Sequence, residues 1–179
     1  SPMSRSLRPS LILFLLLALA LTGCAGGTAT AASSWPGVAV DDTTAYVAFG
    51  QAVHAVDLAA GTERWRFPVE GSQNSLFYAK PVPSGDGSLY LAGYDHKLYA
   101  VDAASGTQVW VFEGSKGRLI GNPVVHGDDL LVPSADSSLY ALDRASGQPR
   151  WTYTAGSALW SAPIVDDGRM YLSALEHVL

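Results

Sequence analysis

The sequence predicts an all-β fold that repeats a four-stranded antiparallel unit. One eleven-residue motif occurs three times, and the apolar residues between its copies fall into four short runs. Beyond the N-terminal leader, no segment keeps a helical period over ten residues. The chain of 179 residues contains 18 Gly and 10 Pro, which suits short strands joined by tight turns.

The repeated motif reads Ala-x-Asp-x-x-x-Gly-x-x-x-Trp and has no gaps in any copy. Its tryptophans lie 45 and 41 residues apart, and a Pro-Val or Pro-Ile pair recurs at a similar interval. A period of this length indicates a protein built from stacked structural repeats. The fixed positions are Ala55, Asp57, Gly61, Trp65, Ala100, Asp102, Gly106, Trp110, Ala141, Asp143, Gly147 and Trp151.

Each unit contains four apolar runs separated by turn residues, as the second unit illustrates. Its predicted strands are residues 79–82, 89–92, 98–101 and 109–112. Four antiparallel strands in about 40–45 residues are typical of a β-propeller blade. The sequence therefore predicts a β-propeller from residue 35 onward. The predicted blades are at about residues 36–68, 78–113 and 120–154, with a partial blade at 160–179.

The motif resembles the tryptophan-docking motif of PQQ-type β-propellers, the family of the quinoprotein dehydrogenases and of the outer-membrane assembly lipoprotein BamB. The resemblance covers about residues 36–179 and implies a propeller of eight blades. Because the sequence ends at Leu179, just before a fourth copy of the motif is due, we expect an N-terminal fragment with about three and a half blades. The resemblance also implies that each motif Trp stacks on the Gly region of the adjacent blade and donates its indole N–H to a carbonyl there.

The residue types of the motif suit a structural role. A small Ala lets neighbouring blades approach, and an Asp that opens a turn accepts backbone N–H bonds there. Gly tolerates a positive φ. A buried indole removes about 150–250 Å² of surface from water. We therefore predict that the twelve fixed positions dock blades together and do not contact a ligand.

Residues 1–23 resemble a bacterial lipoprotein signal peptide. Arg5 and Arg8 precede an unbroken apolar run at residues 11–21, whose helical length of about 16 Å is too short for a bilayer core of about 30 Å. The only cysteine, Cys24, follows Leu-Thr-Gly, which resembles a lipobox. We predict that Cys24 is lipidated and that residues 24–34 are a flexible tether. The alternative is a Cys that lies by chance near an ordinary cleavage site.

Composition and motif content narrow the classes of function. The formal net charge of −5 argues against nucleic-acid binding. The lone Cys, the scattered His residues and the turn-located acids supply no recognisable metal site, and no catalytic motif is present. We therefore predict no catalytic residue, no metal and no evident cofactor. PQQ and Ca²⁺ enter only under the hypothesis that the chain is part of a quinoprotein dehydrogenase.

The segments that connect one blade to the next vary most among the repeats. In a propeller they cross from the outer strand of one blade to the inner strand of the next and help to line one mouth of the channel. We predict contacts with a partner or ligand there, with ordinary loop packing as the alternative. The candidate residues are Phe77, Tyr78, Lys80, Arg118, Asn122 and Trp160.

The leading hypothesis is a protein-binding or scaffolding propeller with a layout like that of BamB. It would be lipid-anchored on the extracytoplasmic side of a bacterial membrane and bind a protein of the cell envelope. The anchor would place it at the periplasmic face of an outer membrane, or outside the cytoplasmic membrane of a single-membrane bacterium. The alternatives are the N-terminal part of a PQQ-dependent alcohol or sugar dehydrogenase, and a sensor-type extracellular domain.

The lipidation hypothesis predicts that Cys24→Ser moves the protein from the membrane to the soluble fraction, because the substitution removes the thiol that carries the acyl group. Immunoblotting of fractionated cells measures the shift, and Thr28→Ala in the tether serves as the control. An unchanged membrane fraction for Cys24→Ser would contradict the hypothesis.

Overall fold

A computed structural model describes residues 36–70 and 75–175 as an all-β array. It contains three four-stranded sheets and one two-stranded sheet, all of them antiparallel. Cys24 and the predicted signal peptide and tether lie outside the described residues. Among the residues that are described, no helix is long and apolar enough to cross a membrane.

The strands of each four-stranded sheet follow one another in sequence and in space, so each sheet is a simple meander. The first sheet is made of β1 (Gly37–Val40), β2 (Thr44–Phe49), β3 (Ala52–Asp57) and β4 (Glu63–Phe67). The second is made of β5 (Val82–Pro83), β6 (Ser88–Ala92), β7 (Leu98–Asp102) and β8 (Gln108–Phe112). The third is made of β9 (Val124–His126), β10 (Asp129–Pro133), β11 (Ser138–Asp143) and β12 (Pro149–Thr154). β13 (Ile164–Asp166) and β14 (Arg169–Tyr171) form the two-stranded sheet.

The predicted fold class, an all-β array of four-stranded antiparallel blades, is confirmed. The first strand of the second blade is displaced from its predicted position at residues 79–82, because β5 consists only of Val82 and Pro83. Pro81 has no backbone N–H, and the N–H of Lys80 is donated to the side chain of Asn122. This stretch therefore cannot continue the ladder with β6.

Because consecutive strands are antiparallel, the turns alternate between two ends of every blade. We call one end the docking-turn face, which contains residues 41–43, 58–62, 84–87, 103–107, 127–128, 144–148 and 167–168. The other end is the crossing face, which contains the turns after each second strand and the segments between blades. Its residues are 50–51, 68–70, 75–81, 93–97, 113–123, 134–137 and 155–163.

The hydrophobic core lies between successive blades. One cluster combines Tyr90 and Leu98 of the second blade with Leu130 and Leu142 of the third, and all four are almost completely buried. A second cluster joins the first and second blades in the same way. Each sheet therefore depends on its neighbours to bury its faces, as expected for a repeat protein.

A carboxylate secures the crossing face of the third blade. Asp136 accepts hydrogen bonds from the Tyr140 hydroxyl (2.7 Å), from the backbone N–H of Lys116 (2.8 Å) and from the backbone N–H of Ser138 (2.9 Å). Burial disfavours the charged carboxylate, but these hydrogen bonds outweigh burial and lower the pKa of Asp136 to about 2. Since Lys116 belongs to the segment that enters from the second blade, ionised Asp136 holds two blades together.

This lowered pKa predicts an acid sensitivity with a defined direction. The contribution of Asp136 to stability is complete above its ordinary pKa of 3.8 and disappears as the pH falls towards about 2. We expect Asp136→Asn to flatten the pH dependence of the free energy of unfolding, measured with urea between pH 5 and 2. The control is Asp128→Asn, an exposed turn residue. Equal slopes for wild type and Asp136→Asn would contradict this assignment.

Candidate functional site

The motif tryptophans of the first two blades contact the docking-turn face of the next blade. The indole nitrogen Nε1 of Trp65 donates a hydrogen bond to the carbonyl of Ala103 at 3.0 Å. Trp110 makes the equivalent bond to the carbonyl of Arg144 at 3.2 Å. Each acceptor directly follows the motif Asp of the neighbouring blade, so the same chemistry is repeated at both joints.

The motif glycines receive the indole rings. Gly106 has a φ of +71°, and a Cβ atom at that position would lie 2.6 Å from Cδ2 of Trp65. Gly147 has a φ of +73°, and its Cβ would lie 2.5 Å from Cε3 of Trp110. Real Cβ atoms do not approach other atoms so closely, so both the backbone conformation and the ring contact require glycine.

Two tyrosines complete these joints, and the sequence analysis did not identify them. Tyr46 pairs with Ala55 across the strands, and Ala55 pairs with Trp65. The small alanine between them leaves the two rings with centroids 5.9 Å apart. The equivalent Tyr90 donates its hydroxyl to the Arg144 carbonyl, which also accepts the Trp110 indole.

The hydroxyl of Tyr46 also reaches a carboxylate of its own blade. It donates a hydrogen bond to Asp41 at 2.7 Å. Burial of the ring, together with this bond to Asp41, raises the pKa of Tyr46 to about 12. In the sequence, the signal for these tyrosines is their position nine or ten residues before the motif Ala. The third blade has Leu131 at that position, so only two of the three repeats show the pattern.

The motif aspartates close the turns that follow them. Asp57 accepts hydrogen bonds from the backbone N–H groups of Ala59 and Ala60 at 2.9 and 2.8 Å. Hydrogen bonds from the side chain and backbone of Ser146, and from Arg150, lower the pKa of Asp143 to about 2. Among the described residues, no three His, Cys, Asp or Glu side chains form a group that could hold a metal ion.

The two outermost motif positions differ from the inner ones. A Cβ added to Gly61, in the first blade, would meet no described atom within 4 Å. Trp151, in the third blade, is 40% exposed. Within the described residues, the Trp–Gly contact is therefore formed at two joints.

Backbone hydrogen bonds join the blades at the crossing face. The N–H of Phe77 donates to the carbonyl of Gly50 in the first blade, and the N–H of Tyr94 donates to the carbonyl of Leu76. The same pair of bonds recurs around Leu119 and around Leu159. Each connecting segment is thereby held between the turns of two successive blades.

One predicted contact residue is buried in the core instead. Phe77 is 1% exposed, and its ring packs edge-on against Phe67 and at a tilt against Tyr99, with centroid distances of 6.5 and 6.0 Å. A partner on the surface cannot reach this ring. Phe77 occupies the position that Leu119 and Leu159 take in the next blades, and these leucines are equally buried.

Two other predicted contact residues, Tyr78 and Arg118, both contact the ring of Tyr94, which was not predicted. The rings of Tyr78 and Tyr94 are in edge-to-face contact, with their centroids 4.8 Å apart. The guanidinium of Arg118 lies 4.5 Å from the centroid of the Tyr94 ring. We call Tyr78, Tyr94 and Arg118 the aromatic–cation cluster. This arrangement orients an exposed arginine at the joint of the second and third blades.

The remaining predicted contact residues lie on the same face in different settings. The side-chain oxygen of Asn122 accepts the backbone N–H of Lys80 at 2.8 Å, so Asn122 links two connecting segments. The Lys80 side chain itself is exposed. Trp160 is 52% exposed, on the segment that follows the third blade.

Cations of the crossing face are mostly free of ion pairs. Elsewhere, arginines pair with carboxylates, as in Arg64 with Asp57 and Arg150 with Asp143. Within the part of the chain that the structure describes, the Lys and Arg side chains without a carboxylate partner are Lys80, Lys116, Arg118 and Arg169. Three of these four belong to connecting segments.

Blades joined by indole, glycine and carbonyl groups define a β-propeller of tryptophan-docking repeats. The chain belongs to the PQQ-type β-propeller repeat family. The family profile described as "Outer membrane protein assembly factor BamB" matches residues 21–119 and 94–179. The family predicted from the motif is thus confirmed. No curated protein matches the chain in sequence.

Solved structures share this fold. BamB from Moraxella catarrhalis is 25% identical with a TM-score of 0.66, over 79% of this chain and 44% of that one. A europium-containing methanol dehydrogenase is 23% identical with a TM-score of 0.57, over 66% of this chain and 24% of that one. The computationally designed Ika4 protein is 14% identical with a TM-score of 0.67, over 80% of this chain and 87% of that one. The chain therefore spans less than half the length of the BamB structure that it resembles.

The joint geometry predicts a difference between two glycine substitutions. Gly61→Ala and Gly106→Ala both place a Cβ at a positive φ, which costs about 1–2 kcal/mol. Only Gly106→Ala also displaces an indole, that of Trp65. We therefore expect Gly106→Ala to lower the free energy of unfolding, measured with urea, by about 1–3 kcal/mol more than Gly61→Ala does.

A double-mutant comparison isolates the ring contact. In a Trp65→Ala background the two substitutions should cost the same, because the ring that the added methyl group would overlap is gone. Equal costs for Gly61→Ala and Gly106→Ala in the wild-type background would contradict this joint geometry.

Proposed function

We propose that this chain is a lipid-anchored, extracytoplasmic β-propeller that binds a protein of the cell envelope through its crossing face. The observation that carries the proposal is the aromatic–cation cluster with its neighbouring unpaired cations. Aromatic residues and arginine are the side chains enriched in protein interfaces, particularly where truncation weakens binding most.

Two features of the cluster and its surroundings suit a binding role. The guanidinium of Arg118 is held over the Tyr94 ring, which reduces the conformational freedom that binding would otherwise remove. Lys80 and Lys116 are exposed on the adjoining segments and have no carboxylate partner among the described residues. The face thus offers fixed aromatic surface together with positive charge that a partner can neutralise.

At the opposite face, the motif residues are already bonded within the fold. Its motif aspartates are occupied by turn N–H groups and by Arg64 and Arg150. Arg144 contributes its carbonyl to a joint and its side chain to an ion pair with Asp86. These groups are committed to folding, so the crossing face is the better candidate for recognition.

The family supports the same class of function. Its description names an outer membrane protein assembly factor, and the matched region includes the predicted lipobox region as well as the blades. The likeness to the methanol dehydrogenase is below 25% identity and reflects the shared fold. We therefore favour a binding propeller located in the cell envelope over a redox enzyme.

Site-specific cross-linking tests the proposal. A photoreactive amino acid in place of Trp160, on the crossing face, should give one discrete adduct with an envelope protein in living cells. The same probe in place of Tyr153, on the outer strand β12, serves as the positional control. An adduct pattern that is identical from both positions would contradict recognition by the crossing face.

Alanine substitutions then test the cluster itself. We expect Arg118→Ala or Tyr94→Ala to reduce the yield of the Trp160 adduct by roughly tenfold, since each removes a candidate anchor residue. Arg169→Ala removes an arginine at the start of β14, next to the docking-turn face, and should leave the yield unchanged. An undiminished adduct in both cluster variants would rule out the cluster as the contact.

A further inference from the structure

The chain enters the first blade at the crossing face. β1 begins at Gly37, which pairs with Ala48 beside the turn at Gly50. A Cβ on Gly37 would lie 2.6 Å from the backbone of Ala79 and Lys80, which belong to the first connecting segment. The N-terminal arm that carries Cys24 therefore joins the propeller at the same face as Lys80 and the aromatic–cation cluster.

The arm is short compared with the dimensions of a propeller. Eleven residues separate Cys24 from Pro36, and a fully extended chain spans at most about 3.3–3.6 Å per residue. Gly37 follows Cys24 by thirteen residues, so the entry point can lie no farther than about 45 Å from a lipid attached to Cys24.

Charge is divided unequally between the two faces. Ten aspartates lie on the docking-turn face or in the strand residues next to it, against four arginines, Arg64, Arg144, Arg150 and Arg169. The ten are Asp41, Asp42, Asp57, Asp86, Asp102, Asp128, Asp129, Asp143, Asp166 and Asp167.

The crossing face is electrically balanced by comparison. Its carboxylates are Glu70, Asp95, Glu113 and Asp136, and its cations are Lys80, Lys97, Lys116 and Arg118. Asp95 and Asp136 accept tyrosine hydroxyls, and Glu113 pairs with Lys97. Exposed apolar side chains, including Phe49, Val69 and Trp160, lie at or next to this face.

We infer that the crossing face is turned towards the membrane that holds the anchor, and that the acidic docking-turn face points away from it. Bacterial membrane surfaces carry anionic lipids, which repel aspartates and attract lysine, arginine and interfacial aromatic rings. A strand of six residues separates the two faces by roughly 20 Å, more than the Debye length of about 8 Å in physiological salt. This orientation therefore removes most of the repulsion between the aspartates and the anionic lipids.

The orientation specifies the partner of the proposed function, on which this inference rests for the lipid anchor. A protein that binds the aromatic–cation cluster must reach a face whose entry point is held within about 45 Å of the lipid surface. The partner is accordingly an integral membrane protein or a domain that stays next to the membrane, and a freely diffusing protein of the compartment is disfavoured.

Energy transfer from single dyes to labelled lipids measures the orientation without any partner protein. The chain from residue 24 onward, with Cys24→Ser and a histidine tag in place of the lipid, is bound to vesicles containing phosphatidylglycerol and a nickel-chelating lipid. One dye is attached through Lys116→Cys or Trp160→Cys on the crossing face. The matched controls are Asp128→Cys and Asp167→Cys on the docking-turn face.

We expect about twofold more energy transfer from the two crossing-face positions than from the two docking-turn positions, since roughly 20 Å separates the faces. Equal transfer from all four positions, or more from Asp128→Cys and Asp167→Cys, would overturn the inference. Because the vesicles contain no partner, this failure is distinguishable from the loss of cross-linking that would contradict the proposed function.

Discussion

The hydrogen bond from a motif indole to the carbonyl of the next blade is the interaction on which this structure depends. Trp65 and Trp110 donate it at 3.0 and 3.2 Å, and each ring lies against a glycine that no other residue could replace. A single blade cannot bury either of its faces, so its strands are stable only against a neighbour. The indole fixes that neighbour in position with a directional bond as well as buried apolar area.

The joints also assign different tasks to the two ends of the blades. At the docking-turn face, the motif aspartates and glycines, and the carbonyl groups that follow these aspartates, are used in turns and in indole contacts. At the crossing face, backbone bonds hold the connecting segments, and the side chains of Arg118 and Lys80 are exposed without a carboxylate partner among the described residues. The chain enters the first blade at this same face, so the anchor and the binding surface that we propose would lie at one end of the blades.

The repeat made the fold class and the family predictable, because the motif residues have roles that tolerate few substitutes. Glycine with positive φ and alanine between two rings are requirements of geometry, and geometry repeats with the blade. The connecting segments were harder to predict, since their sequences differ between blades. Phe77 looked like a surface aromatic although it fills a core position, and Tyr94 was missed because its partners lie 16 and 24 residues away in sequence.

Hydrogen exchange of the tryptophan indole N–H groups, followed by NMR, tests the central interaction most directly. We predict slow exchange for Nε1–H of Trp65 and Trp110, whose protons are bonded to carbonyl groups between blades. Trp151 and Trp160, at 40% and 52% exposure, should exchange rapidly in the same sample. Exchange of Trp65 and Trp110 as fast as that of Trp160 would show that the indoles do not join the blades.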